Sequence, residues 1–289
     1  MITVRRLRGP DEFAEAVRVQ ISAWRMAKDS CEATPAHLLK ALSENGGIVL
    51  GAFDDDGRLV GVSAGWFVGG PEGPYFYSHI TGVVDEMKYR GVGFQLKLAQ
   101  RREVLSYGVR LIKWTFDPLQ RLNVNFNLNK LGAVFRRYAV NYYGPISDGI
   151  NAGLETDRAI AEWHLDSVNA TRKIEGGFKV PSAEELTSAG AHVAVGLERE
   201  GGLERPLGPF IEDGAEVVLV ALPRSITDLN SRDPRLAAAW RDATRRAYTY
   251  YLERGYVASD YTTDSAGTGY AVLVRMELAD VLEGMRPWS

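Results

Sequence analysis

The sequence predicts a mixed α/β fold, and three observations carry the prediction. Short apolar strands alternate with amphipathic helical stretches through the middle of the first 167 residues. A glycine-marked turn, Arg90-Gly91-Val92-Gly93, joins one strand directly to a long amphipathic stretch. Past a polar, Gly/Pro-marked segment, a shorter run of strands around one helix echoes that middle region.

Residues 2–7 alternate weakly and read as a strand. From Asp11 onward Phe13, Ala14, Val17, Ile21 and Trp24 recur at helical spacing. Pro35 to Asn45 reads as a second helix, closed by Gly46 and Gly47. "GIVLGAF" and "RLVGVSAGWFVG", joined by "DDDG", read as a hairpin, and "YFYSHITGVV" as a fourth strand. A helix follows from Phe94, with Leu96, Leu98, Ala99, Val104 and Leu105 on one side and Gly108 at its end. "RLIKWTF" is a fifth strand and "LNVNFNLNKLG" a short helix capped by Gly132. "AVFRRYAVNYYG" and "RAIAEWHLDS" are the sixth and seventh strands. A helix returning between the fourth and fifth strands implies a parallel pair, so the sheet is mixed.

"VNATRKIEGGFKVPSAEEL" reads as a linker. Beyond it lie strands at His192–Glu198, "EVVLVALP", "GYVASDYTT" and "GYAVLVRM", with a helix from about Pro234 to Arg254. The expected domains are 1–167 and 168–289.

The chain has 289 residues, 45 % hydrophobic and 25 % charged, a composition that suits a globular protein with a sizeable core. Its net charge of -3 argues against general nucleic-acid binding. Cys31 is the only cysteine, which excludes an internal disulfide and a cysteine metal cage. His37, His79, His164 and His192 are scattered, so no metal is expected. "MITVRRLRGPDEF" lacks the apolar core of a signal peptide, and no apolar run approaches the roughly 20 residues that span a bilayer. The expectation is a cytoplasmic protein with no membrane partner.

A strand, an arginine, two glycines and a helix make either a plain turn or an anion site. Glycines let the backbone turn tightly, and the open N–H groups of a helix's first turn attract a pyrophosphate. Lys88, Arg90, Lys97, Arg101 and Arg102 add positive charge around it. A Rossmann site fits poorly: it needs a third glycine and the first strand of a βαβ unit.

This segment resembles the pyrophosphate motif of the GNAT superfamily of acyl-CoA N-acyltransferases, Q/R-x-x-G-x-G/A. Arg90 and Gly93 match its first two fixed positions, and Gln95 departs from the third, where a larger side chain would crowd the helix. The order of elements over residues 1–167, "VVDEMKYRGVGFQL" and "NFNLNKLGAV" resemble the same fold. More narrowly, the chain is similar to bacterial GNAT proteins that share the run "WTFDPLQRLNVNFNLNKLGAV" and carry a C-terminal extension.

The resemblance implies a GNAT fold with splayed fourth and fifth strands, binding acetyl-CoA, succinyl-CoA or another acyl-CoA as co-substrate. The pyrophosphate would rest on Gly91, Val92, Gly93, Phe94 and Gln95 beside Arg90. The pantetheine arm would pair with Gly82, Val83 and Val84 as an added strand. Asn123 and Asn127 are unusual in a helix and would contact pantetheine amides or neighbouring backbone. Strand alternation puts Tyr77, His79 and Thr81 on one face. Tyr77 stands where many members carry a glutamate, and His79 would take the acceptor's proton or be an ordinary hydrogen-bonded histidine. Leu128 occupies the place of the family's tyrosine acid, for which Tyr138, Tyr142, Tyr143 or solvent would substitute. Asp117 would orient an ammonium group or cap the following helix, where Pro118 sits at the first position. Trp66, Tyr75, Tyr77, Trp114 and Phe116 would line an acceptor pocket or simply be core.

The C-terminal part reads as a half-GNAT repeat. "EVVLVALP" and "VASDYTT" stand for the fourth and fifth strands, and "RSITDLNSRDP" between strand and helix lacks glycine, so no second acyl-CoA site is expected. It would pack on the first domain or form a homodimer contact. The function expected is N-acylation of a small-molecule amine, with an amino acid as one candidate. The alternatives are a non-catalytic acyl-CoA sensor or scaffold and a protein N-acetyltransferase.

Overall fold

Gly82 shows how tightly the first layer is built: a Cβ there would lie 2.6 Å from the ring of Trp24. In the computed structural model, which describes residues 1–28, 30–71, 73–88, 90–146, 148–150 and 153–288, the chain forms two compact units. The first is Met1–Trp114 with Ile146–Ala152; the second is Thr115–Pro145 with Gly153–Ser289. The boundary expected near residue 167 does not coincide with this division.

In the first unit, β1 (Thr3–Arg6), β2 (Ile48–Phe53), β3 (Leu59–Val68) and β4 (Tyr75–Val83) pair antiparallel in sequence order. β5 (Leu111–Phe116) pairs parallel with β4, as a helical crossover requires. α1 (Gly9–Ala23) and α2 (Ala36–Glu44) bury Phe13, Ala16, Val19 and Leu39 against Val62, Ala64 and Ile80 of one face. α3 (Val92–Ser106) covers the other face, where Gly61 leaves room for Val92 and Leu96. The predicted order β-α-α-β-β-β-α-β is the observed one, with a short 3₁₀ turn, Asp85–Met87, after β4.

The second unit opens with α4 (Arg121–Asn125), which widens into a π turn over Phe126–Lys130. Its strand order is β7 (Arg158–His164), β6 (Val134–Ala139), β11 (Val257–Thr263), β12 (Gly269–Val274), β10 (Val217–Leu222), β8 (His192–Glu200) and β9 (Leu203–Leu207). β10 and β8 are parallel; the other pairs are antiparallel. β10 and β11 run the same way and are joined by α7 (Ile226–Arg232) and α8 (Pro234–Leu252), as a half-GNAT repeat requires, but β12 lies between them. Pro234 at N1 and the Asp233 cap, 3.0 Å from the Leu236 N–H, start α8.

The segment expected as a linker holds two helices, α5 (Val168–Ile174) and α6 (Ala183–Ser188), and α9 (Leu278–Leu282) follows the last strand. Ser167 caps α5, and Ser182 with Glu185 forms a full capping box on α6. α6 and α9 bury Leu186 and Val281 against Val217, Val257, Val272 and Val274.

A buried ion cluster ties these pieces together. Lys173 Nζ donates to Asp260 Oδ1 (2.6 Å) and to the carbonyls of Leu128 (3.0 Å) and Ser259 (2.8 Å). Arg286 donates to the other oxygen of Asp260 and, at 2.7 Å, to Asn169. Removing the shared anion leaves two cations in a dry site. Asp260→Asn is therefore expected to lower stability by about 3–5 kcal/mol, read as a fall in the urea midpoint with an unchanged m-value.

Candidate functional site

β4 contains one residue more than its partner. Gly65 pairs with Ser78 and Ala64 with Ile80, so His79 is the extra residue of a β-bulge. The bulge breaks the expected alternation. Tyr77 faces Trp66 with ring centroids 5.3 Å apart, and His79 joins them at 5.4 Å from Trp66. Thr81 does not share that face, because its hydroxyl lies 3.0 Å from Ser63 Oγ, which accepts from Gln100 on α3. His79 is exposed beside the Trp66 and Tyr77 rings, and the desolvation it meets there holds its pKa below the usual histidine value.

Pairing between β4 and β5 is confined to Phe76–Ile112 and Tyr77–Lys113 among the described residues. Beyond the bulge, β4 still pairs with β3 through Thr81, Gly82 and Val83, and the Val84 N–H reaches the Val60 carbonyl at 3.0 Å. The edge of β4 toward β5 thus carries backbone groups outside that pairing, from Ser78 to Val83. Gly82 has a packing reason as well, its contact with Trp24, and Val84 packs into the same core.

The turn after β4 leads to Gly91, which takes a left-handed conformation (φ 80°) as the N-cap of α3. No side chain caps this helix, and the Gln95 N–H bonds the Gly91 carbonyl at 3.0 Å. The N–H groups of Val92, Gly93 and Phe94 therefore form an open first turn. Gly93 is the instructive residue. Its backbone needs no glycine, and an added Cβ would meet only Val83 Cγ2 at 3.9 Å. Packing does not demand its small size. Gln95 is exposed, so its larger side chain does not crowd the helix as expected. Tyr89 lies outside the described residues.

The basic residues divide. Arg90 is exposed at the turn and Arg102 exposed further along α3. Lys88 is tied to Asp85 and to the Ala23 carbonyl at 3.1 Å. Lys97, expected to face an anion, is instead buried beneath the sheet. It donates to Ser78 (2.8 Å) and Gln100 (3.1 Å) and sits 4.2 Å from the centroid of Trp114. Burial lowers its pKa to about 7. Sequence reading missed this Lys97–Ser78–Gln100–Ser63 network; its signal was two serines in apolar strands opposite a lysine and a glutamine three residues apart.

The remaining candidates belong to the second unit. Asp117 is not placed to hold an ammonium: both its oxygens accept from Arg241, at 2.8 and 2.7 Å, and Oδ1 also accepts from the Leu119 N–H. Asn123 is exposed on α4, whereas Asn127 is buried in the π turn. Leu128 is core. Tyr138 donates to Asp157 at 2.6 Å, and burial raises its pKa, so it is a poor proton donor. Tyr142 and Tyr143 are exposed, Tyr143 with its hydroxyl 2.7 Å from Thr115. Phe116 packs against Phe135, a core contact.

No protein-family model and no curated protein matches the chain. Among solved structures it is similar to the ribosomal-protein-S18-alanine N-acetyltransferase from Escherichia coli, at 13% identity over 57% of this chain and 94% of that one, TM-score 0.46. It is similar to an acetyltransferase of the GNAT family from Streptococcus pneumoniae, at 15% identity over 56% and 98%, TM-score 0.46. It is also similar to Chaetomium thermophilum Naa20 in complex with a bisubstrate analogue, at 15% identity over 55% and 84%, TM-score 0.46.

The buried lysine sets a pH test. With a folded pKa of about 7 against 10.5 for the ordinary group, Lys97 binds fewer protons folded than unfolded across that window. Stability therefore rises as pH rises through it. Lys97→Met should lose this increment, so urea unfolding from pH 7 toward about pH 10 should show a flatter slope than the parent chain.

Proposed function

We propose that the chain is an acyl-CoA-dependent N-acyltransferase of the GNAT type, with residues 1–167 as its catalytic domain and 168–289 as a GNAT-like subdomain. The observation that carries this reading is the uncapped first turn of α3, entered through left-handed Gly91 and widened by a Gly93 that packing does not require. It lies directly after a bulged strand whose pairing with β5 stops at Tyr77. A pyrophosphate would take the N–H groups of Val92, Gly93 and Phe94, with Arg90 beside it. The pantetheine arm would pair with Gly82, Val83 and Val84.

The acceptor is a small-molecule amine, an amino acid being the first candidate, held against Trp66 and Tyr77. Its nitrogen attacks the thioester carbon, the C–S bond breaks, and coenzyme A leaves as thiolate. His79, neutral near pH 7 because its pKa is lowered, accepts the amine's proton directly or through water. The thiolate takes its proton from solvent, since Leu128 offers none. That absent acid favours a second reading, a non-catalytic acyl-CoA sensor. A protein N-acetyltransferase would instead acylate a peptide amine.

Thermal unfolding with acetyl-CoA, succinyl-CoA, coenzyme A and NAD separates these readings from a plain turn. One thioester should raise the midpoint by mass action. Gly93→Ala should melt like the parent without ligand yet lose most of that rise, and Arg90→Glu should also lose it. No rise with any coenzyme A species sinks the proposal, and a rise without turnover of any amine leaves the sensor. If turnover is found, the acid limb of kcat/KM should fall below the ordinary histidine value of 6.5. His79→Gln should erase that limb and lower kcat/KM by roughly 10²-fold or more.

A further inference from the structure

The C-terminal tail of the second unit borders a cavity of about 340 Å³. Two half-buried rings, Phe178 and Trp288, form its apolar walls. Arg172, in the last turn of α5, and Lys179 stand on its rim, both exposed and neither with a carboxylate partner among the described residues. Gly284, whose left-handed backbone (φ 82°) favours glycine, lies beside the Arg172 guanidinium.

Three cationic groups lie around Phe178. The cationic groups of Arg172, Lys173 and Arg286 lie 5.5, 4.8 and 4.9 Å from the Phe178 ring centroid, within cation–π range. Lys173 and Arg286 share the single carboxylate of Asp260. Burial, with Arg286 adding to it, draws the Lys173 pKa down to about 8 despite the opposing pull of Asp260. The rim's own acid, Glu185, accepts from the Ser182 N–H within its capping box. Flat apolar walls under a positive rim select a ligand that is planar at one end and anionic at the other.

We propose that this cavity is a binding site for an aromatic carboxylate, with the ring against Phe178 and Trp288 and the carboxylate on Arg172 and Lys179. The site lies wholly in the second unit and does not depend on the acyltransferase reading.

Calorimetric titration of the full chain with benzoate and indole-3-carboxylate tests it, with benzylamine and inorganic phosphate as controls. Saturable binding of a carboxylate is expected, with a roughly millimolar dissociation constant for fragments of this size. The double variant Arg172→Glu with Lys179→Glu changes only exposed side chains, so its circular dichroism should match the parent, while carboxylate affinity should fall at least about tenfold. Trp288→Ala should weaken indole-3-carboxylate more than benzoate. No saturable binding of either carboxylate overturns the proposal, as does equal binding by the double variant or equal binding of benzylamine.

Discussion

His79 is one residue too many for the ladder between β3 and β4, and the strand absorbs it as a bulge. That local misfit decides what each face of the first unit contains. Before it, Phe76 and Ser78 face α3 while Tyr77 faces the α1 side. After it, the parity is reset, so Ile80 enters the α1 core and Thr81 joins Ser63 under α3. Without the bulge Ile80 would leave the core and Thr81 would leave its place beside Ser63. The same extra residue swings His79 beside Tyr77 and Trp66. Core packing and the candidate proton acceptor therefore rest on one irregularity, which neither could shift without the other.

The glycines of this unit separate into those that packing explains and one that it does not. Gly61 admits Val92 and Leu96, Gly65 would clash with the Tyr77 carbonyl at 2.2 Å, and Gly82 admits Trp24. Gly91 is required by its positive φ. Gly93 has ordinary backbone angles and empty space, so its lack of a side chain has no internal beneficiary. A helix terminus alone is weak evidence for an anion. An uncapped terminus with an unexplained glycine two residues in is stronger, because both features act on the same few cubic ångströms outside the backbone.

Legibility in the sequence followed the range of the interactions. Elements set by local periodicity, such as α1, α3, α8 and the strands of the first hairpin, were readable because period and cap lie within the same dozen residues. The helices α5 and α6 were not. Each is shorter than two turns, and the Gly176-Gly177 and Pro181 marks between them read as a linker when they are in fact their boundaries. The bulge was invisible because alternation assumes that every residue has a partner. The ammonium reading of Asp117 failed for a longer-range reason: its partner Arg241 lies 124 positions away. The glycine turn, by contrast, was legible as a tight entry into α3, since its whole geometry is local.

Two fully buried lysines show how the fold treats charge in different ways. Lys173 faces Asp260 and keeps its pKa nearer the ordinary value, at about 8. Among the described residues Lys97 meets neutral acceptors and the face of Trp114, and its pKa falls further, to about 7. Desolvation is the leading cause in both; at Lys173 the Asp260 carboxylate opposes it while Arg286 adds to it. Near neutral pH Lys97 is consequently poised between charged and neutral forms inside the first unit. It touches Ser78, the residue immediately before the bulge, so its proton is held against the strand that carries His79.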